Sequence, residues 1–324
     1  MVLYIIKRVI MIIPIMIGVT FFLFMLLTLT PGDAALIVLG TNATDEQIQM
    51  FREQTGLDRP PMIQYFNYMV KVVSGDLGKS FNTRQSVNVM IGDRAPTTLF
   101  LSLTSMVLTI LIALPLGVFM AVKQNSLFDN SMRVLTIILT SMPVFWLAMM
   151  MILLFSVRLN WLPPSGLATF SAIIMPIVCL ACQGITMCAR TGRSSMLETI
   201  NKDYIRTARS KGLRRGYIIR RHALRNAMLP MVSVYGRIIA TCFAGSVVLE
   251  QVFGINGIGT MMLGALRQKD VPAIMGSIVI SCLVISLVNL LTDITYAFID
   301  PRIKAKYVRR RSKLLEVGAN ANGQ

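Results

Sequence analysis

The sequence predicts an all-α membrane protein of six transmembrane helices with both termini on the cytoplasmic side. Three observations carry that prediction. Hydrophobic residues fill 54% of the 324 positions and charged residues 15%, against roughly 45–50% and about 25% in an average soluble domain. Six apolar runs reach the length of about 20 residues that crosses a hydrocarbon core of roughly 30 Å. The formal charge of +17 falls entirely on alternate connections between those runs, as positive-inside topology requires.

The runs cover 9 to 29, 97 to 122, 134 to 157, 172 to 189, 230 to 249 and 275 to 298. The first follows Lys7 and Arg8 and ends at Thr30-Pro31-Gly32-Asp33. It exceeds the apolar core of a signal peptide and no small-residue cleavage site follows, so it reads as a retained span. With the N-terminus inside, the cytoplasmic pieces carry 22 basic and five acidic residues, the outer pieces nine of each, and the membrane Arg237 and Asp293. The basic surplus therefore needs no nucleic acid. Cys179, Cys182, Cys188, Cys242 and Cys282 all lie inside apolar runs, where a reduced thiol packs as a small hydrophobe, which excludes a secreted disulfide scaffold. The Cys179-x-x-Cys182 spacing has no second pair and reads as packing.

Between the first two runs, residues 30 to 96 form an extracytoplasmic insert. Thr44, Asp45 and Glu46 can open a short amphipathic helix carrying Ile48, Met50 and Phe51, and Pro60-Pro61 separates it from an apolar-aromatic run, Ile63 to Val73. Segment 158 to 171, with Trp161, Pro163, Pro164 and Gly166, reads as an interfacial turn. Residues 254 to 259, Gly-Ile-Asn-Gly-Ile-Gly, lack the Lys-Ser or Lys-Thr of a phosphate loop. Their Gly254, Gly257 and Gly259 suit a re-entrant segment or a turn before a short helix on the outer side.

The cytoplasmic segment 190 to 228 holds 11 basic residues and two acids, Glu198 and Asp203, yet it has helical grammar. Asn201 can cap a helix over 202 to 211, Asp203 sits in its positive first turn, Arg209 and Lys211 in its negative last turn, and Gly212 suits the left-handed position beyond it. Tyr204, Ile205 and Ala208 form a narrow apolar stripe that a six-span bundle does not need in the cytosol, so another molecule is expected to cover it. A second helical piece, Tyr217 to Arg225, runs into Pro230, which suits the first turn of the fifth span. His222, the one histidine, reads as a polar residue at a helix join.

Several short motifs stand in order along the chain: Pro31-Gly32-Asp33, Gly56-Leu57-Asp58-Arg59-Pro60, Gly75-Asp76-Leu77-Gly78-Lys79-Ser80, the stretch Asp203 to Leu213 followed by His222-Ala223-Leu224-Arg225-Asn226-Ala227 and Pro230, and Asn289, Asp293, Tyr296, Asp300, Pro301, Arg302. Together they resemble the membrane permease subunits of binding-protein-dependent ABC importers, in the dipeptide, oligopeptide and nickel branch. The loop departs from the broader family's Glu-Ala-Ala motif, with Arg206 and Thr207 for Glu-Ala and with His222 and Arg225 in place of Ile and the first Pro. Those departures look like the branch's own version.

The resemblance implies a MetI-like importer permease fold over 1 to 307, with a disordered tail from 308 to 324, in a bacterial inner membrane. It implies four kinds of partner besides lipid: a second homologous permease, two cytoplasmic ABC ATPases that bind ATP and Mg, and an extracytoplasmic solute-binding protein. The permease itself would be non-catalytic and hold no cofactor or metal. Region 202 to 217 would be the coupling helix that docks on an ATPase, through Tyr204, Ile205, Arg206, Ala208, Arg209, Lys211, Gly212 and Leu213. Small peptides are the leading cargo, with glutathione-like, opine or nickel-chelate solutes as alternatives. A self-contained secondary transporter is the rival class, and it would place ionisable groups at mid-membrane.

One expectation owes nothing to the resemblance. Arg237 and Asp293 each sit roughly 9–10 Å in from the cytoplasmic ends of their runs. An isolated charge costs about 2.5–3.5 kcal/mol at the bilayer centre, so the two are expected to pair.

Overall fold

The computed structural model describes residues 2–40 and 42–299, and these fold almost wholly into helices. They are α1 (Val2–Leu29), α2 (Ala34–Leu39), α3 (Asp45–Thr55), α4 (Pro61–Val73), α5 (Val87–Val122), α6 (Leu127–Ser141), α7 (Val144–Met151), α8 (Phe170–Ile200), α9 (Asp203–Ser210), α10 (Arg215–Tyr217), α11 (Leu224–Val252), α12 (Ile258–Arg267) and α13 (Val271–Ile299). Helix α7 continues as π-helix over Ile152–Arg158, and α10 does so over Ile218–Ala223. Asp300, Pro301, Arg302, the side chain of Tyr296 and the tail from 308 lie outside the described residues.

Five helices are long and apolar enough to cross a membrane, over Ile5–Leu29, Val87–Val122, Phe170–Ile200, Pro230–Val252 and Val271–Thr295. The third expected run is not a straight span: α6 and α7 meet at 104°. Met142 sits in the extended region at the break, where the ring of Pro143 disfavours helical backbone in the residue before it. Two helices overrun their expected limits. Helix α5 begins at Val87, ten residues outside its apolar run, and α8 continues to Ile200, so 190 to 200 is helix rather than loop. Pro230 lies inside α11 instead of opening it.

The insert forms the expected helices. Thr44 and Gln47 close a capping box at the start of α3, which buries Phe51. Helix α4 does not stand clear of the bundle. Its Tyr65 hydroxyl lies 2.9 Å from Thr20 Oγ1 and donates to the Ile17 carbonyl at 3.0 Å, well down α1. Its other face exposes Met62, Phe66, Val70 and Val73, the disposition of an amphipathic helix at a membrane interface.

Helices α5, α8 and α11 make the centre of the bundle. Lipid tails are as apolar as leucine, so membrane helices gain most from close contact through small residues. Accordingly Gly117 on α5 lies against the backbone of Ala189, Gly192 and Arg193, and Gly184 on α8 lies against Thr109 and Ile238. Ser105 and Thr109 on α5 donate to the Ile177 and Ala181 carbonyls of α8 at 3.3 and 3.4 Å. Helix α1, by contrast, buries only Thr20 and Phe24 among its described side chains and exposes Ile10, Ile13 and Phe22.

A Cβ at Gly117 would lie 2.8 Å from the Ala189 carbonyl oxygen and 3.2 Å from the Arg193 nitrogen. Gly117→Val should therefore destabilise the bundle by about 1–3 kcal/mol. The thermal midpoint of the detergent-purified protein measures this, with Gly18→Ala, which meets nothing within 4 Å, as the neutral control.

Candidate functional site

Helix α9 forms where the charges and glycine placed it, with one shift. Lys202, not Asn201, is the N-cap and Asn201 ends α8. Asp203 lies in the first turn and Arg209 in the last. Gly212 takes φ +74°, and its N–H and that of Leu213 close back on the Arg209 and Ala208 carbonyls at 2.9 and 3.4 Å. A Cβ at Gly212 would meet nothing within 4 Å, so its left-handed backbone is the reason for glycine there.

The apolar stripe is divided between two surfaces. Ile205 is 0% exposed and Ala208 is 8% exposed. Both turn into a cluster with Ala121 of α5, Met196 of α8, Ile218 and Ala223 of the π-helical segment, and Ala227 of α11. The expectation that another molecule covers this stripe is thus corrected for Ile205 and Ala208, which the chain covers itself. Tyr204 stays 43% exposed and its hydroxyl accepts from Asn226 Nδ2 of α11 at 2.9 Å. Arg206, Arg209, Lys211 and Leu213 are exposed beside it.

Polar bonds hold the same junction. Ser195 of α8 donates to the Ala227 carbonyl of α11 at 2.7 Å, and Arg215 to the Val122 carbonyl of α5 at 3.1 Å. Asp129, 0% exposed, receives Arg193 in a two-point pair, Nε to Oδ1 at 2.6 Å and Nη2 to Oδ2 at 2.8 Å. The Asn125 N–H also donates to Asp129 Oδ2 at 3.0 Å. Neither partner was singled out in the sequence, where both counted as ordinary cytoplasmic charges. A groove of about 470 Å³ remains between α9 and the ends of α5 and α8, with Arg209, Leu213, Ile200 and Ile219 on its walls.

At the opposite end, the three outer glycines form the expected turn. Gly254 takes φ +61°, and the Gly166 N–H of the 159–169 loop donates to the Phe253 carbonyl at 2.8 Å. Gly257 and Gly259 leave no room for a Cβ against Glu250, and Gly259 crowds the Val247 backbone as well. Glu250 is the residue the sequence reading missed. It stands one position beyond the fifth apolar run and counted as an outer acid, yet it is 0% exposed. The readable signal was an acid followed by Gly-x-Gly and a helix start, the arrangement of an anion at a helix N-terminus.

The Arg237–Asp293 pair is not formed. Asp293 pairs with Arg8 of α1 at 2.8 Å, and Arg237 is exposed. The two side chains point in different directions. Gly236 sits tight against Thr292 where α11 meets α13, so the next residue, about 100° further round the helix, faces away.

The short motifs are turns and caps. Gly32 offers its carbonyl to Lys269 Nζ at 2.9 Å, while Asp33 caps α2 and pairs with Arg52. Ser80 donates to the buried Asp270, which also accepts from the Phe81 N–H at 3.0 Å and the Ala273 N–H at 3.4 Å.

Several helices long and apolar enough to cross a membrane, with an exposed basic helix at one end and a glycine turn at the other, are the features of a multi-pass membrane protein. The family model described as the binding-protein-dependent transport system inner membrane component matches residues 113–305, and the model of the N-terminal part of such components matches 1–104. The chain belongs to this family of ABC importer permeases. It is 35% identical over 312 residues to the oligopeptide transport system permease protein AppB of Bacillus subtilis (93% of this chain, 99% of that one). It is also 35% identical over 303 residues to the glutathione transport system permease protein GsiC of Salmonella choleraesuis (94% and 99%). Among solved structures, inward-facing forms of the MetNI methionine ABC transporter share its fold, with a TM-score of 0.53 at 19% identity, over 65% of this chain and 96% of that one. The protein is therefore a multi-pass inner-membrane permease subunit of an ABC importer, a class that works with an ATPase and a solute-binding partner.

Asp129→Ala should destabilise the protein by about 1–3 kcal/mol, because it leaves the partly buried Arg193 guanidinium without its two acceptor oxygens. Lys202→Ala removes only an exposed pair with Glu198 and should cost less than about 1 kcal/mol. Thermal unfolding of the two purified variants compares them directly.

Proposed function

We propose that this permease forms half of the translocation pathway of an ATP-driven importer of small peptides, and that α9 with the adjoining 211–217 segment is the element an ATPase subunit moves. One observation carries the reading: the inner face of α9, through Ile205 and Ala208, joins one apolar cluster with the π-helical segment 218–223 and residues of α5, α8 and α11, while Tyr204, Arg206 and the adjoining Leu213 stay exposed. A helix eight residues long would yield if only its termini held it. Buried Ile205 and Ala208 and the Tyr204–Asn226 bond make it a lever instead, so a push on its exposed face reaches three long helices at once.

The division of labour follows. ATP and Mg belong to the two ATPase subunits, and this chain contributes no catalytic group. The exposed arginines and Lys211 set the register of docking by charge, and Tyr204 and Leu213 supply the apolar contact. ATP-driven closure of the ATPases favours the conformation in which this permease and its homologous partner open outward toward the solute-binding protein. Hydrolysis restores the inward one. Peptides are the favoured cargo because the relatives that match nearly end to end include an oligopeptide permease. A glutathione permease in the same set keeps a modified tripeptide as the second reading. Both termini lie in the cytoplasm by the distribution of basic residues.

Tyr204→Asp and Gly212→Pro should abolish ATP-dependent uptake while the protein still inserts at normal level. The first places a charge at the docking face, and the second demands a φ near −65° where the backbone holds +74°. Ile205→Asp, in contrast, should reduce the amount of folded protein. Uptake into proteoliposomes and ATPase co-purification read the outcome, and wild-type uptake in both of the first two variants would remove the coupling role.

A further inference from the structure

We infer that Glu250 is a positioning residue that makes the outer helix α12 travel as one body with α11, so that displacement imposed at α9 reaches the extracytoplasmic mouth. The inference rests on the coupling role proposed for α9 and adds the element at the far end of the same helix.

Helix α12 begins with N–H groups that have no partner within the helix. Two side chains from other elements take them. Glu250 Oε2, from the last turn of α11, accepts from the Gly259 N–H at 2.7 Å and the Thr260 N–H at 3.2 Å. Thr98 Oγ1, from α5, accepts from the Ile258 N–H at 2.9 Å and donates to Glu250 Oε1 at 2.7 Å. One carboxylate and one hydroxyl thus join α5, α11 and α12 at a single buried point.

The joint is hard to open and hard to shift. Among the described residues no lysine or arginine forms an ion pair with Glu250. Arg94, one turn from Thr98 on α5, binds Asn256 Oδ1 instead at 3.1 Å. The N-terminus of α12 and the Thr98 hydroxyl both compensate the carboxylate, and pulling α12 away would leave Oε2 buried without its two backbone donors. Sliding is blocked too, because Gly257 and Gly259 fit the carboxylate so closely that neither position admits a Cβ. Helix α12 also packs through Ile258, Met261 and Ala265 into an apolar cluster with Phe243 of α11 and with Ala273, Ile274 and Val279 of α13; such contacts are non-directional, so the joint is what fixes the first turn of α12 on α11.

The rest of α11 makes the joint consequential. It runs for 29 residues from Leu224 to Val252, with Pro230 in its second turn, roughly 43 Å at 1.5 Å per residue. Its inner end packs in the cluster beneath α9 through Ala227, and its outer end carries Glu250. A displacement entering at Ile205 and Ala208 thus has a continuous rod to follow, and the carboxylate converts the rod's movement into movement of α12.

The test uses the assembled transporter, with both permeases, the ATPases and the solute-binding protein, in proteoliposomes. Glu250→Gln keeps the side-chain size but turns an N–H₂ toward the Thr98 hydroxyl or the α12 N–H groups. Thr98→Val removes the bridging hydroxyl alone. Each should lower uptake per ATP hydrolysed about tenfold or more while ATP hydrolysis stays within about twofold of wild type, as expected when a buried partner is lost far from the nucleotide. Thr98→Ser, which keeps the hydroxyl, should restore the wild-type ratio. Spin labels at Val248 on α11 and Leu266 on α12 should report one narrow distance in resting and nucleotide-trapped wild type, and a broadened one in Thr98→Val. An unchanged uptake-to-hydrolysis ratio with an unchanged distance would overturn the inference. If Glu250→Gln does not assemble, Thr98→Val decides by the same two readouts. Failure of the coupling reading looks different: Tyr204→Asp would then transport normally, whatever Glu250 does.

Discussion

The approach of α8 to α5 and α11 is the constraint on which the rest depends. Small residues allow it: Gly117 and Gly184 bring backbones together, and Ser105 and Thr109 hydrogen-bond across the gap. In a membrane this contact is the main attraction between helices, so it decides which ends meet in the cytosol. Because α5, α8 and α11 finish side by side, α9 can rest on all three, and Ala121, Met196 and Ala227 become the floor under Ile205 and Ala208.

A second consequence of that arrangement is the way charge is handled at the margins of the membrane. The bundle buries Asp129 and Glu250 completely, but at opposite ends and by opposite means. Asp129 meets a guanidinium in two-point contact, the geometry in which a buried pair recovers most of its desolvation cost. Glu250 meets backbone N–H groups and a hydroxyl. The first fixes the loop after α5 to α8 and makes a rigid inner corner. The second joins three helices at the end opposite α9, beside the apolar cluster that packs α12 against α11 and α13.

Local grammar was legible in the sequence and azimuth was not. The Thr44 capping box, the glycine after α9 and the turn at 254 to 257 depend on a few adjacent residues, and each appears where those residues placed it. Family membership was also legible, since it rests on ordered short motifs whose turns and caps the fold explains. What failed needed information from another helix. Arg237 and Asp293 do not meet, because Gly236 takes the contact with α13 and Arg8 arrives from α1 to occupy the acid. Glu250 looked like an outer charge because hydropathy alone cannot reveal a helix folded back over it. The bend at Pro143 was the one miss with a local cause, since Met142 precedes a proline in the middle of an apolar run.

The fastening of α1 carries a last implication. Arg8 holds it to α13 near one end, and Lys269, between α12 and α13, grips the carbonyls of Thr30, Pro31 and Gly32 at the other, while most of its length faces outward. Between those ends one face of α1 is engaged, with Met16 and Leu27 against the cluster shared by α12 and α13 and Thr20 bonded to Tyr65 of α4. Its remaining face, with Ile10, Ile13 and Phe22, is the broad apolar surface that this chain leaves for its surroundings to cover.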